Sequence, residues 1–209
     1  MLKNLNKNLL LIFTRNPELG KCKTRLAAKT GDQVALDIYK FLLAHTVSIT
    51  QNLKADKQVH YSVAIRDNDI WDANIYNKKL QDGDDLGMRM LNAFKQGFAD
   101  GYKNIIIIGS DMFDITTADL DNAFKQLDQH NFVIGPATDG GYYLLGMKKI
   151  NTAIFSNKEW GKETVLKDTL GNLKDENIKL LEAKNDVDYY EDIKDIEAFK
   201  PFLKHIKND

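Results

Sequence analysis

Four short apolar runs constrain this chain most: NLLLIF from Asn8, VHYSVAI from Val59, NIIIIG from Asn104 and FVIG from Phe132. Each is rich in branched or aromatic residues and is bounded by polar residues or glycine, as buried strands are. Their apolarity is continuous rather than alternating. Both faces of such strands must be covered, which is the condition of a parallel sheet. Helical patterns lie between them. DQVALDIYKFLLAHTVSITQNL places Val34, Ile38, Phe41, Leu42, His45 and Ile49 on one stripe. LGMRMLNAFKQGFADG stops at Gly101, and TTADLDNAFKQLDQH opens on a threonine cap. DVDYYEDIKDIEAFKPFLKHI reads as a last amphipathic helix with Pro201 late in it. The order β-α-β-(β)-α-β-α-β predicts an α/β sheet with helices on both faces. GPATDGGYYLLGM reads as a turn and a strand that could pair antiparallel, so the expected sheet is mixed and mostly parallel.

With 209 residues, three prolines, no repeats and no low-complexity linker, the chain reads as a single domain over 1–209. Its formal net charge of -1 predicts no general attraction to nucleic acid or anionic membranes, so any basic site must be local. One cysteine, Cys22, excludes an intrachain disulfide framework and fits a reducing compartment. The N-terminal MLKNLNKNLLLIF allows a weak signal-peptide reading. Its apolar run falls short of the roughly 7–15 residues of an h-region. No apolar segment approaches the roughly 20 residues of a membrane helix. The expectation is a cytoplasmic protein with no membrane insertion.

In open α/β sheets, ligands bind beyond the carboxyl ends of the strands. The loop after the first run is TRNPELGKCKTRL, where Arg15, Lys21, Lys23 and Arg25 are opposed by Glu18 alone. The chain has four arginines, and two of them are here, where forked contacts to phosphate oxygens would favour arginine. A helix start just after the loop adds its own preference for an anion. Gly20-Lys21 is followed by Cys22, so this is no P-loop, and no G-x-G-x-x-G opens a helix. NIIIIG is followed by Ser110-Asp111, a carboxylate where Mg²⁺ could sit; it could also cap a turn. FVIG is followed by Asp139-Gly140-Gly141-Tyr142, either a tight D-G turn or a close backbone approach to a ligand. Asp186 and Asp188 could cap the last helix, or one could be a second metal ligand. QDGDDLGMRM carries Asp84, Asp85 and Arg89, either a helix start or part of the site.

Together, FTRNPELGKCKTRL, QDGDDLGMRM, IIIIGSD, GPATDGGYYLLGM, Trp160 and DVDYYEDI resemble the DUF2064 family. It is also called the transferase 1 family associated with radical-SAM and selenium-related domains. More distantly, the pattern is similar to 2-phospho-lactate and molybdenum-cofactor guanylyltransferases. The resemblance runs from about Leu9 to Ile196. It implies a GT-A, nucleotide-diphospho-sugar transferase-like fold and a metal-dependent transferase. The donor would be a nucleoside triphosphate or nucleotide sugar, the acceptor a small molecule, and the metal Mg²⁺ or Mn²⁺. It assigns Arg15, Gly20, Lys21, Lys23, Arg25, Gln81, Asp85 and Arg89 to nucleotide and phosphate binding. It assigns Asp111 and Asp188 to the metal, Asp111 and Asp139 to catalysis, and Gly140, Gly141 and Tyr142 to the acceptor side.

The chain departs from the family pattern in three places. Asp84 replaces a glycine, Met112-Phe113 replaces x-Pro after Ser110-Asp111, and Gly161-Lys162 follows Trp160 where Ser-Thr is usual. A non-catalytic nucleotide-binding module of the same fold therefore stands as the alternative.

Overall fold

The computed structural model describes residues 7–204 and 206. The residues before Lys7, which the signal-peptide alternative concerns, lie outside the described residues. The strands are β1 (Asn8–Thr14), β2 (Asp56–Tyr61), β3 (Tyr76–Leu80), β4 (Asn104–Gly109), β5 (Phe132–Pro136), β6 (Tyr142–Met147) and β7 (Ile178–Leu180). The helices are α1 (Thr24–Thr30), α2 (Asp32–Thr50), α3 (Leu86–Ala99), α4 (Thr117–Leu127), α5 (Val165–Asn172) and α6 (Lys200–Leu203). One seven-stranded sheet runs in the order β3-β2-β1-β4-β6-β5-β7. β6 is antiparallel to both neighbours, and the other pairings are parallel. The expected mixed, mostly parallel sheet is what forms.

The apolar runs serve two layers at once. Leu10, Ile12, Ile106 and Ile108 pack with α2 and α4 through Tyr39, Leu43, Leu120 and Phe124. Leu9, Leu11, Ile105 and Ile107 pack on the opposite face with α3 through Met90, Leu91 and Phe94. Alternate side chains of a strand leave opposite faces. A continuous apolar run is therefore what a doubly covered strand requires. A third cluster joins α1 and α2 to the C-terminal segment through Leu26, Ile38, Leu42, Val187, Ile193 and Phe199. No helix among the described residues is long and apolar enough to cross a membrane.

Local chemistry sets several boundaries. Thr116 caps α4: its hydroxyl accepts from the Asp119 N–H, and the Asp119 carboxylate accepts from the Thr116 N–H, a full capping box. β2 begins earlier than the apolar run and stops at Tyr61. Beyond it, the Asn16 side chain accepts from the N–H groups of Val63 and Ala64 at 3.1 and 3.2 Å, drawing the chain out of the ladder. The expected last helix is broken into 3-10 turns at Tyr190–Asp192 and Glu197–Phe199, followed by α6. The Asp192 carboxylate accepts from the N–H groups of Asp188 and Tyr189, which ties a local turn where Asp186 or Asp188 was expected to cap a helix. Pro201 stands in the first turn of α6 rather than late in a helix. Its missing N–H costs nothing there.

The chain passes from β1 outward to β2 and β3, then returns to β4 on the other side of β1. The β1–β4 boundary is the switch point where the crevice of an open α/β sheet lies. Because β6 runs antiparallel, the β5–β6 turn opens at the same sheet end as the loops after β1 and β4.

Candidate active site

The ends of β1 and β4 are tied by a small hydroxyl network. The Tyr39 hydroxyl accepts from the Arg15 N–H at 3.0 Å and donates to its carbonyl at 2.9 Å. Ser110 Oγ donates to Thr14 Oγ1 at 2.9 Å. Burial, and then the nearby Asp111 charge, hold the Tyr39 phenol above its ordinary range. Asn16, 2% exposed, also donates to the Ala64 carbonyl at 2.8 Å, fixing the basic loop against the segment after β2.

The loop ends at Lys23, which adopts φ 48 and ψ 48 just before α1. A left-handed conformation costs a non-glycine residue about 1–2 kcal/mol. The Lys23 side chain is 5% exposed, and its Nζ lies 2.6 Å from Asp111 Oδ2 and 3.1 Å from Asp188 Oδ1. Burial works against this ammonium. The charges and hydrogen bonds of Asp111 and Asp188 outweigh it and hold the group above the ordinary lysine range. Arg25 donates to the other oxygen of Asp188 at 3.0 Å and stacks over the Tyr189 ring at 5.6 Å. The two carboxylates thus converge on one buried cation.

Two cavities adjoin at this point and share Phe13, Lys23, Leu86, Asp111 and Asp188 as walls. The first, about 460 Å³, is lined by Arg15, Arg25, Tyr39, Gln81, Arg89 and Ser110 among others. The second, about 270 Å³, is lined by Asp139, Gly141, Tyr142, Trp160, Lys162 and Asp186 among others.

The residues singled out from the sequence fall in four positions. Lys23, Asp111 and Asp188 form the shared wall. Arg15, Arg25, Gln81 and Arg89 line the larger cavity, while Asp139, Gly141 and Tyr142 line the smaller. Gln81 donates to the carbonyls of Thr14 and His60, and Arg89 Nε donates to Gly83 at 2.9 Å, so local bonds orient both side chains. The remaining residues sit elsewhere. Lys21 is largely exposed and paired with Glu18 at 2.8 Å, Gly20 makes a left-handed turn at φ 71, and Asp85 caps α3 by accepting from the Met88 N–H.

The Asp139–Tyr142 turn is built on glycine. Asp139 Oδ1 accepts from the Gly141 N–H at 2.8 Å. Gly140 has φ 89, and a Cβ there would collide with the Glu163 backbone. The Gly140 carbonyl accepts from the Leu166 N–H at 2.9 Å, docking the turn on the start of α5.

Asp186, read from the sequence as a helix cap or a metal ligand, lines the smaller cavity with Asp188. Burial, followed by the charges of Asp139 and Asp188, pushes its carboxyl up to about 6. The signal was the D-x-D spacing: in extended chain, residues two apart face the same side. Tyr142 is raised by burial, and its hydroxyl oxygen is buried with no hydrogen-bond partner. In place of the family's proline, Phe113 packs against Phe199 at 4.9 Å, His45 at 5.1 Å and Phe41 at 5.8 Å, which anchors the loop after Asp111.

The seven-stranded, mostly parallel sheet with its loops converging at a switch point matches the nucleotide-diphospho-sugar transferase-like fold. The family model described as "Uncharacterized protein conserved in bacteria (DUF2064)" matches residues 43–162. This protein belongs to that family. The matched span takes in Gln81, Arg89, Asp111 and Asp139–Tyr142; the basic loop and Asp188 lie outside it. No curated protein matches the chain. A crystal structure from Desulfovibrio desulfuricans G20, provisionally assigned as a nucleotide-diphospho-sugar transferase, superposes with a TM-score of 0.84 at 28% identity, covering 96% of this chain and 95% of that one. A cytidylyltransferase from Leptospira borgpetersenii shares the fold at TM-score 0.59 and 16% identity, covering 97% and 88%. So does a Mycobacterium tuberculosis H37Rv protein solved in complex with manganese, at TM-score 0.55 and 12% identity, covering 90% and 96%.

Proposed function

We propose that this protein is a metal-dependent transferase that takes a nucleoside triphosphate or nucleotide sugar in the larger cavity and an acceptor in the smaller. The observation that carries the reading is the shared wall: one buried lysine between two carboxylates, where donor and acceptor would meet. Arg15, Lys23, Arg25 and Arg89 supply the positive charge that a di- or triphosphate requires, and arginine adds two-point contact.

A divalent cation fits the donor set in one respect. Asp111 and Asp188 already converge on a cation, and Mg²⁺ or Mn²⁺ takes one or two carboxylates with phosphate oxygens and water completing its shell. No group of three or more His, Cys, Asp or Glu that could hold a metal occurs among the described residues, so phosphate oxygens and water would complete the shell. Bound there, the ion would neutralise phosphate charge. Lys23 would then leave its carboxylates for a phosphate oxygen. Asp139 would orient the acceptor hydroxyl and receive its proton. In nucleotidyl transfer, that oxygen bonds to the α-phosphorus and pyrophosphate leaves; in glycosyl transfer, it bonds to the anomeric carbon and the nucleoside diphosphate leaves. Both rest on positioning and electrostatics.

A second reading has one observation in its favour. Lys23 and Arg25 together already balance Asp111 and Asp188, as a metal-free nucleotide-binding module would have it. A thermal-shift panel of nucleoside di- and triphosphates and UDP-, GDP- and dTDP-sugars, each with Mn²⁺ and with EDTA, separates the two. A ligand of the native state must raise the melting temperature as its concentration rises. The transferase reading predicts a shift that requires Mn²⁺. An equal shift in EDTA supports the module, and no shift with any of them removes the nucleotide reading.

A further inference from the structure

The smaller cavity carries information about what receives the transferred group. Its charged lining is Asp111, Asp139, Asp186 and Asp188 against Lys23 and Lys162. Lys23 is held by Asp111 and Asp188 and its charge also reaches Asp186, so four carboxylates in this lining face two lysines, one of them the exposed Lys162. The rest of the wall is apolar: Phe13, Leu86, Met90, Tyr142 and Trp160 among others. Trp160 is seated against α3 at Gly87, where a Cβ would come within 2.7 Å of the ring, so a small residue there is a condition of the ring's position.

We propose that this cavity takes an acceptor with a flat apolar face, a hydroxyl group and no negative charge. The inference rests on the donor-and-acceptor reading above and narrows its acceptor. An anionic acceptor would meet Asp139 and Asp186 while donor phosphates filled the adjoining cavity, and like charges brought together without water are strongly disfavoured. A neutral acceptor avoids that cost, and a cationic one reverses it. The flat face packs on Trp160, where an aromatic surface provides contact area and a preferred stacking geometry.

Tyrosol, tyramine and 4-hydroxyphenylacetate test this. They share one ring and hydroxyl and differ in charge. Their binding to the full chain is read by ligand-observed NMR, with and without Mn²⁺ and the nucleotide that most stabilises the protein. Tyrosol and tyramine are expected to bind, with 4-hydroxyphenylacetate about ten-fold weaker. Trp160→Ala should weaken the first two several-fold, and Asp186→Asn should narrow the gap between tyramine and 4-hydroxyphenylacetate. Anion binding equal to or tighter than the others overturns the inference, as does failure of all three to bind, or indifference to Trp160→Ala. If Trp160→Ala does not fold, as judged by its melting curve, the charge series with Asp186→Asn decides. Nucleotide binding is scored separately. Nucleotides that bind while all three probes fail leave the donor reading standing and remove the acceptor inference; the reverse result removes the donor reading and keeps the cavity's charge preference.

Discussion

The Lys23 ammonium lies 2.6 Å from Asp111 Oδ2, and only 5% of the lysine side chain is exposed. The contact joins the loop after β1 to the loop after β4 across the switch point of the sheet. Asp188, from the C-terminal segment, closes on the same nitrogen. Three distant stretches of sequence therefore meet on one charge. A metal ion would have to compete with that charge for both carboxylates. Lys23→Met should remove the competitor, so Mn²⁺ should bind more tightly in the absence of nucleotide while transfer is lost. The two carboxylates, 42% and 30% exposed, would repel each other through partial solvent, for a stability loss of about 1–2 kcal/mol. Manganese titration followed by electron paramagnetic resonance reads the affinity. Weaker Mn²⁺ binding in the variant would contradict the competition.

Two glycines test the turn at the smaller cavity. Gly140 and Gly161 have φ 89 and 82, so alanine is strained at both. At Gly140 the added Cβ also meets the Glu163 backbone, whereas at Gly161 nothing lies within 4 Å. Gly161→Ala should cost about 1 kcal/mol, from backbone strain alone. Gly140→Ala should cost about 3 kcal/mol or more, because a backbone cannot swing aside as a side-chain tip can. Urea unfolding of both variants measures the difference. Equal losses would mean that the turn relaxes freely.

His60 predicts a pH dependence. Burial, with a smaller contribution from the Lys79 charge, pushes its imidazole down to about 4 from 6.5, against the raising effect of a hydrogen bond to the Leu80 backbone. The unfolded chain takes up the proton near pH 6.5, and the folded protein only near 4. The stability associated with the neutral ring is therefore complete above pH 6.5 and is lost as the pH falls toward 4. The loss is on the order of 3 kcal/mol. Chemical denaturation across this range should show the fall, and His60→Gln should flatten it. An unchanged slope in the variant would assign the effect to other groups.

Much of this architecture was legible because the signals were local. NIIIIG could hardly be anything but a buried strand, and the Thr116–Asp119 pair caps α4 as a short motif does. The antiparallel β6 was legible from the glycine turn before it. β7 was not, because three residues with a central lysine carry no periodicity. The broken C-terminal helix was missed for another reason. Its apolar residues Val187, Ile193 and Phe199 do pack on α1 and α2, yet the Asp192 side chain imposes a turn that no spacing rule encodes. At the site, the family resemblance already joined Asp111 to Asp188 through a metal and placed Lys23 with the phosphate-binding cations. That the three meet on one nitrogen is a tertiary fact. The same holds for Lys21, which shares the basic loop but pairs with Glu18 outside both cavities.

The central claim is that Asp111, opposite Lys23, is where a nucleotide and its metal are held together. Calorimetric titration of wild type and Asp111→Asn with the nucleotide that gives the largest thermal shift, with Mn²⁺ and with EDTA, tests it most directly. The account predicts that Mn²⁺ tightens binding about ten-fold or more in the wild type, and that the variant binds equally weakly with and without metal. A variant that keeps the full gain from Mn²⁺ would contradict it.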